Sequence, residues 1–155
     1  MYVTTGSGKI IGTGYLRLLG HNSKAVLVLG PDNAIHGSAT IWPQVVNYGL
    51  IDPNDPVSGL TPYPHTIKLL CEPKIGPGDW QVTGGGSEQG QENKMEVWTP
   101  IAGTGDLTVG EHGVLLVHRH LSLYGQFFMD KGARIEVDEE TVFDVHRFSP
   151  ASCPE

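Results

Sequence analysis

Between Asp106 and Arg147, apolar side chains recur in pairs two residues apart, and this spacing constrains the fold more than any other feature. Leu107 and Val109, Leu115 and Val117, Leu121 and Leu123, Phe127 and Met129, and Ile135 and Val137 form such pairs. Successive side chains of a strand point to opposite faces, so each pair marks an extended segment with one apolar face. Glycines at 110, 113, 125 and 132 punctuate the runs, and successive apolar pairs follow one another at steps of 6 to 8 residues. Steps this short predict a tight meander, or one flank of a sandwich or barrel, rather than a parallel β-helix with its longer coils.

The rest of the chain carries the same signature. Runs rich in Val, Ile, Leu, Tyr and Phe lie at 2–5, 9–12, 15–19, 24–29, 39–46, 66–71, 80–83 and 94–99, separated by Gly, Pro, Asn and Asp. The C-terminal series is 106–109, 114–118, 121–124, 126–129, 133–137 and 141–147. No helix-period pattern is present; residues 33–37 could hold one short helical turn. The 155 residues have room for one domain. The expected fold is all-β, a sandwich or jelly-roll-like single domain over residues 1–148 with a short tail at 149–155. Two long loops interrupt it. Residues 52–64 carry Pro53, Pro56, Pro62 and Pro64, each of which removes a backbone donor. Residues 84–93, Gly-Gly-Gly-Ser-Glu-Gln-Gly-Gln-Glu-Asn, are polar and glycine-rich, and are expected to be mobile unless a partner orders them.

Charge narrows the partners. Net charge is −7, and the ten Lys and Arg residues are scattered singly, so the clustered basic footprint of a nucleic-acid binder is missing. No window approaches the roughly 20 apolar residues of a membrane-spanning helix. Residues 1–6 lack the basic and apolar regions of an export signal. Cys71 follows Ile67-Lys68-Leu69-Leu70 and reads as a buried strand residue, whereas Cys153 lies in the Pro-flanked tail; both are expected as free thiols.

Motifs with chemical potential are few. Gly6-Ser7-Gly8-Lys9 resembles part of a phosphate loop, but Ile10 stands where Ser or Thr is needed and no helix is predicted to follow. His118-Arg119-His120 is the sharpest candidate. On a strand, residues i and i+2 share a face, and His112 or Glu111 could supply a third metal ligand. A cupin-type site resembles this His-x-His core, but Leu121-Ser122-Leu123-Tyr124-Gly125 follows where an acidic ligand belongs. Half-exposed histidines at a strand end or subunit contact are therefore the expectation, with no metal and no cofactor. Asp138-Glu139-Glu140 reads as a charged hairpin turn, and neither Ser38 nor Ser58 lies in a nucleophile elbow. Trp80, Trp98 and Tyr63 are candidates for stacking on sugar rings, against the ordinary use of such residues in cores and interfaces.

Gly105-Asp106-Leu107-Thr108-Val109, His120-Leu121-Ser122-Leu123-Tyr124-Gly125 and Asp130-Lys131-Gly132-Ala133-Arg134-Ile135-Glu136-Val137 carry a resemblance. These stretches, within residues 105–146, look like the strand–glycine–strand series of tailed-bacteriophage virion proteins, both capsid decoration (cement) proteins and fibre-type proteins. The resemblance implies a compact β-fold, often a homotrimer, that clamps neighbouring subunits of the major capsid protein and has no catalytic residues. It also implies a place on the virion surface after synthesis in the host cytoplasm. Long loops could drape across a partner surface and order there. The expected function is thus structural and non-enzymatic. The alternatives are a carbohydrate-binding β-sandwich and a small metal-dependent enzyme built on His118 and His120.

Overall fold

A computed structural model describes residues 2–3, 8–18, 26–54, 64–86, 88 and 90–148, and side chains are considered within 26–145 of these. The described residues form sixteen strands. In chain order they are β1 (Tyr2–Val3), β2 (Gly8–Leu18), β3 (Val26–Leu29), β4 (Asn33–Ile41), β5 (Gln44–Asn47), β6 (Leu50–Asp52), β7 (Thr66–Leu69) and β8 (Lys74–Ile75). There follow β9 (Asp79–Val82), β10 (Asn93–Val97), β11 (Ile101–Gly103), β12 (Leu107–Val109), β13 (Gly113–Val117), β14 (Leu121–Met129), β15 (Arg134–Val137) and β16 (Phe143–Phe148).

Every pair among these strands is parallel, and consecutive strands do not pair with each other. On a first side, the early part of β4 pairs with β6, β6 with β9, β9 with β12, and β12 with the second half of β14. On a second side, the end of β4 is followed by β7, β10, β13 and β15. On a third, β3, β5, β8, β11 and the first half of β14 stack in turn, with β16 on the outside. Three successive strands therefore close one coil, and the next coil lies on top of it. The architecture is a three-sided parallel β-helix.

The coil repeat is printed in the polar ladder at one corner, where Asp106 bonds back to Asp79 over 27 residues and Gln126 to Asp106 over 20. By register the apolar pairs of the sequence face the interior, although Met129 and Val137 in the last described coil remain exposed. Ile35, Ile51, Trp80, Leu107 and Phe127 form one column by register, and Ala39, Ile67, Met95, Leu115 and Ile135 another. Apart from the partly buried Ile135, these residues are buried in one continuous core. Burying a large aliphatic or aromatic side chain contributes about 1.5–3 kcal/mol, so columns of this kind hold each coil on the next. Lateral hydrogen bonds along the parallel ladders satisfy the backbone groups at the same time.

The third side has an unusual rung. Register places Lys74 in the column of Leu27, Val45, Ile101, Leu121 and Phe143, and it is fully buried. Its ammonium donates to the carbonyls of Pro43 (2.8 Å), Leu70 (2.9 Å) and Glu72, with Trp42 O at 3.5 Å. These acceptors belong to two neighbouring corners, so the lysine ties one coil to the next. Burial pulls its pKa down from 10.5 to about 8, although Cys71 and Glu72 act in the opposite direction.

The all-β class is as expected, but the sandwich or jelly-roll arrangement is not what the pairing shows. Sandwiches and jelly rolls are built from antiparallel strands, whereas the strands here pair in parallel throughout. The 6-to-8-residue steps are real, yet each step turns the chain onto the next side of the same coil instead of reversing it. Three steps add up to a coil. Residues 33–37, which by sequence could hold one short helical turn, are the start of β4. Cys71, expected in a buried strand, is an exposed turn residue with φ of 58°. Cys153 and the tail at 149–155 lie outside the described residues.

Candidate functional site

The corner between the first and second sides is where the coils differ from one another. Before and after it the connections are tight: β4 runs through Gly37 without a break, and β12 and β13 are joined by three residues. Two consecutive coils instead carry the long insertions, between β6 and β7 and between β9 and β10. The insertions are remote in sequence but leave the helix side by side.

Their bases are fastened by buried polar groups. Asp52 Oδ1 accepts the N–H groups of Asn54 (3.1 Å) and Thr83 (3.0 Å), while Oδ2 accepts the Thr83 hydroxyl at 2.5 Å. One carboxylate thus ties the exit of the first insertion to the exit of the second. Their returns are tied likewise, because Asn93 Oδ1 accepts the His65 N–H at 2.9 Å and Asn93 Nδ2 donates to Thr83 O at 2.9 Å. His36 Nδ1 bonds Asn54 O at 3.1 Å, and the Ser38 hydroxyl lies 3.4 Å from His65 Nδ1 and accepts from Thr66 N–H. His36, Asp52, His65 and Asn93 are all buried. Buried polar groups are costly unless paired, so this network fixes where both loops start and end. The glycine-rich segment is itself closed by an antiparallel bridge between Gly85 and Glu92, with Gly86 N–H bonded to Gln91 O. Most of the Pro-rich segment, residues 55–63 with Tyr63 and Ser58, lies outside the described residues.

The corner between the second and third sides carries a different row. The backbone bonds Leu70 N to Ile41 O, Trp98 N to Leu69 O, His118 N to Val97 O and Asp138 N to Val117 O put Trp42, Leu70, Trp98, His118 and Asp138 above one another. Trp98 and His118 are stacked, with centroids 3.7 Å apart and planes 15° apart. His118 Nδ1 in turn meets Asp138 Oδ2 at 2.7 Å. Trp98 donates its indole N–H to Glu96, which also pairs with Lys68 at 3.7 Å. Trp42 and Trp98 remain 37% and 46% exposed.

The metal reading of His118 and His120 does not assemble. Both residues sit in the turn after β13, not on a strand, so they do not share a strand face. His118 faces Trp98 and Asp138, whereas His120 Nδ1 accepts the Val142 N–H at 2.9 Å. Glu111 and His112 occupy the turn at the other end of β13 and lie 3.8 Å from each other. Five residues of strand separate the two turns, about 16 Å. Among the described residues, no group of three His, Cys, Asp or Glu could hold a metal.

Other sequence candidates also resolve. Trp80 is 1% exposed and belongs to the core, since it faces inward from β9. Asp138-Glu139-Glu140 is a turn, but it joins two sides of a coil instead of closing a hairpin. The segment from Gly8 onward is a strand, and Gly6 and Ser7 lie outside the described residues. Trp98 keeps its exposure, and Trp42 joins it. That partnership was missed, although Ile41-Trp42-Pro43 and Val97-Trp98-Thr99-Pro100 place both tryptophans directly after an inward-facing apolar residue and before a proline.

Comparison with known proteins returned no matching family model, no matching curated protein and no matching solved structure.

Proposed function

We propose that the chain is a structural virion protein, a capsid decoration or cement protein that adheres to the major capsid protein through its loop-bearing corner. The observation that supports this reading is the convergence of both long insertions on one corner, anchored by the Asp52–Thr83 and Asn93–His65 bonds. Among the described residues the other connections are short, so this corner offers a partner an irregular edge on an otherwise regular stack. Loops with fixed bases lose less freedom on binding than free ones, which favours adhesion. Bound across subunit junctions, such an edge stabilises the closed shell by mass action. A homotrimer would multiply the contact by avidity.

Adding purified protein to undecorated shells tests this. Saturating protein is expected to raise the temperature of shell opening, and a variant with residues 86–91 replaced by Gly-Gly is expected to lose much of the gain. No gain at saturation contradicts the proposal.

Trp42 and Trp98 favour a second reading, carbohydrate binding. They lie two coils apart on one corner, about 10 Å along the helix axis, and both are partly exposed. Saccharides stacking there would change tryptophan emission, and W98A would abolish the change. Silence on a glycan array together with unchanged emission removes this reading.

A further inference from the structure

The last described coil leaves the core open. Val82 and Val109 are fully buried, but Met129, next in their column, is 39% exposed. Val97 and Val117 are fully buried, but Val137 above them is 41% exposed. Ile135, Phe143 and Val145 are only partly buried against the core. Stacked-repeat proteins normally close their ends with a polar cap. Here the apolar columns run through the last described coil without a polar layer over them.

The strand at this end has an edge to offer. Among the described residues β15 pairs with β13 alone, which leaves the backbone groups of its other edge without a neighbouring strand. Such an edge is a template for another chain. Its sequence, Arg134-Ile135-Glu136-Val137, alternates charged residues outward with apolar residues inward. We propose that this end is an isologous contact between two copies of the chain, in which β15 pairs antiparallel with itself about Ile135.

The register follows from charge and parity. With the two-fold axis at Ile135, Arg134 of one copy lies opposite Glu136 of the other, twice over, on the outer face. On the inner face Ile135 meets Ile135, and Ala133 meets Val137. A register one residue on, centred on Glu136, sets two like charges opposite each other, which is unfavourable. A shift that pairs Ile135 with Glu136 puts an apolar side chain opposite a charge. Arg134 and Glu136 already form an ion pair at 2.9 Å within the strand, so association joins two such pairs into a four-charge network. A two-fold axis normal to the second side also brings the remaining exposed ends of both cores together, burying Met129 and Val137. The contact uses the end of the rod, so it is independent of the virion reading and compatible with a trimer formed along the sides.

The experiment is the native mass of the full chain by light scattering, compared with R134E and E136R. Each single variant places only like charges across the axis, so each is expected to have half the mass of the parent. An equimolar mixture of the two variants restores complementarity and is expected to recover the parental mass, as is the double variant R134E/E136R. Equal mass for parent and single variants overturns the proposal, and so does a mixture that fails to recover. A chain ending at Phe148 separates a rival occupant: if it has twice the mass of the full chain, residues 149–155 cover this end and the self-contact is overturned.

Discussion

The carboxylate of Asp79 accepts the backbone N–H of Asp106 at 2.9 Å, one coil further along the chain, and Asp106 repeats the contact with Gln126 at 2.7 Å. A side chain at one corner thus supplies the acceptor for the coil stacked on it. Hydrogen bonds to charged groups are worth about 1.5–3 kcal/mol. D106A is expected to lose about that much stability, seen as a lower urea midpoint at unchanged slope, with D106N losing less. An unchanged midpoint for D106A would show that the ladder does not bear on stability.

Next to this ladder runs a column of glycines, Gly49, Gly78, Gly105 and Gly125, at the positions just before Leu50, Asp79, Asp106 and Gln126. A Cβ on Gly105 would overlap the carbonyl oxygen of Gly78. Gly110 differs, because a Cβ there would meet Thr83 at an ordinary 3.4 Å. G105A is therefore expected to cost more than about 3 kcal/mol and G110A less than about 1 kcal/mol. Thermal unfolding of the two variants decides it; equal losses would contradict the stacked geometry.

Lys74 gives a pH dependence with a definite sign. Its pKa is about 8 in the folded chain against 10.5 unfolded. Between those values the unfolded chain holds a proton that the folded chain has released, so this group's contribution to stability rises with pH across the window. K74M lacks that contribution and also leaves the carbonyls of Pro43, Leu70 and Glu72 without their donor. The variant is expected to be less stable at pH 7 by about 1–3 kcal/mol. The gap should widen between pH 8 and 10.5, as measured by denaturant titration at each pH. A gap that narrows there would contradict the assignment.

The stack of Trp98 on His118 should appear as a coupling energy. Aromatic pairs contribute about 0.5–1.5 kcal/mol beyond area burial. A double-mutant cycle of W98A and H118A is expected to give that value, and H118F should retain most of it. Strict additivity of the two alanine variants would show that the rings do not support each other.

Much of the core was legible in the sequence. The pairs from Leu107/Val109 to Ile135/Val137 face inward as their period requires, because alternation depends only on the chain being extended. Connection was not legible from the same signal, since a step of six to eight residues suits a reversal or a corner equally well. The discriminating signal was a second, longer period. Gly76-Pro77-Gly78-Asp79-Trp80-Gln81-Val82 and Gly103-Thr104-Gly105-Asp106-Leu107-Thr108-Val109 share Gly, Gly, Asp and Val at their first, third, fourth and seventh positions. Chains stacked in register repeat the glycine at each pass, at 49, 78, 105 and 125, and the aspartate at two successive ones, Asp79 and Asp106. The Asp52–Thr83 and Asn93–His65 anchors were invisible for a different reason. They join residues that meet only after the coils have stacked.

Parallel stacking underlies all of these contacts, and disulfide trapping in a C71S/C153S background, which removes both native cysteines, tests it most directly. Gln81 and Thr108 are outward-facing register partners on adjacent coils, within the reach of a disulfide. Leu116 and Ser122 would face each other if β13 and β14 formed a hairpin, but here they lie on different sides of the coil. The parallel β-helix predicts that Q81C/T108C cross-links readily under mild oxidation and that L116C/S122C does not. Cross-linking of the second pair without the first would contradict it.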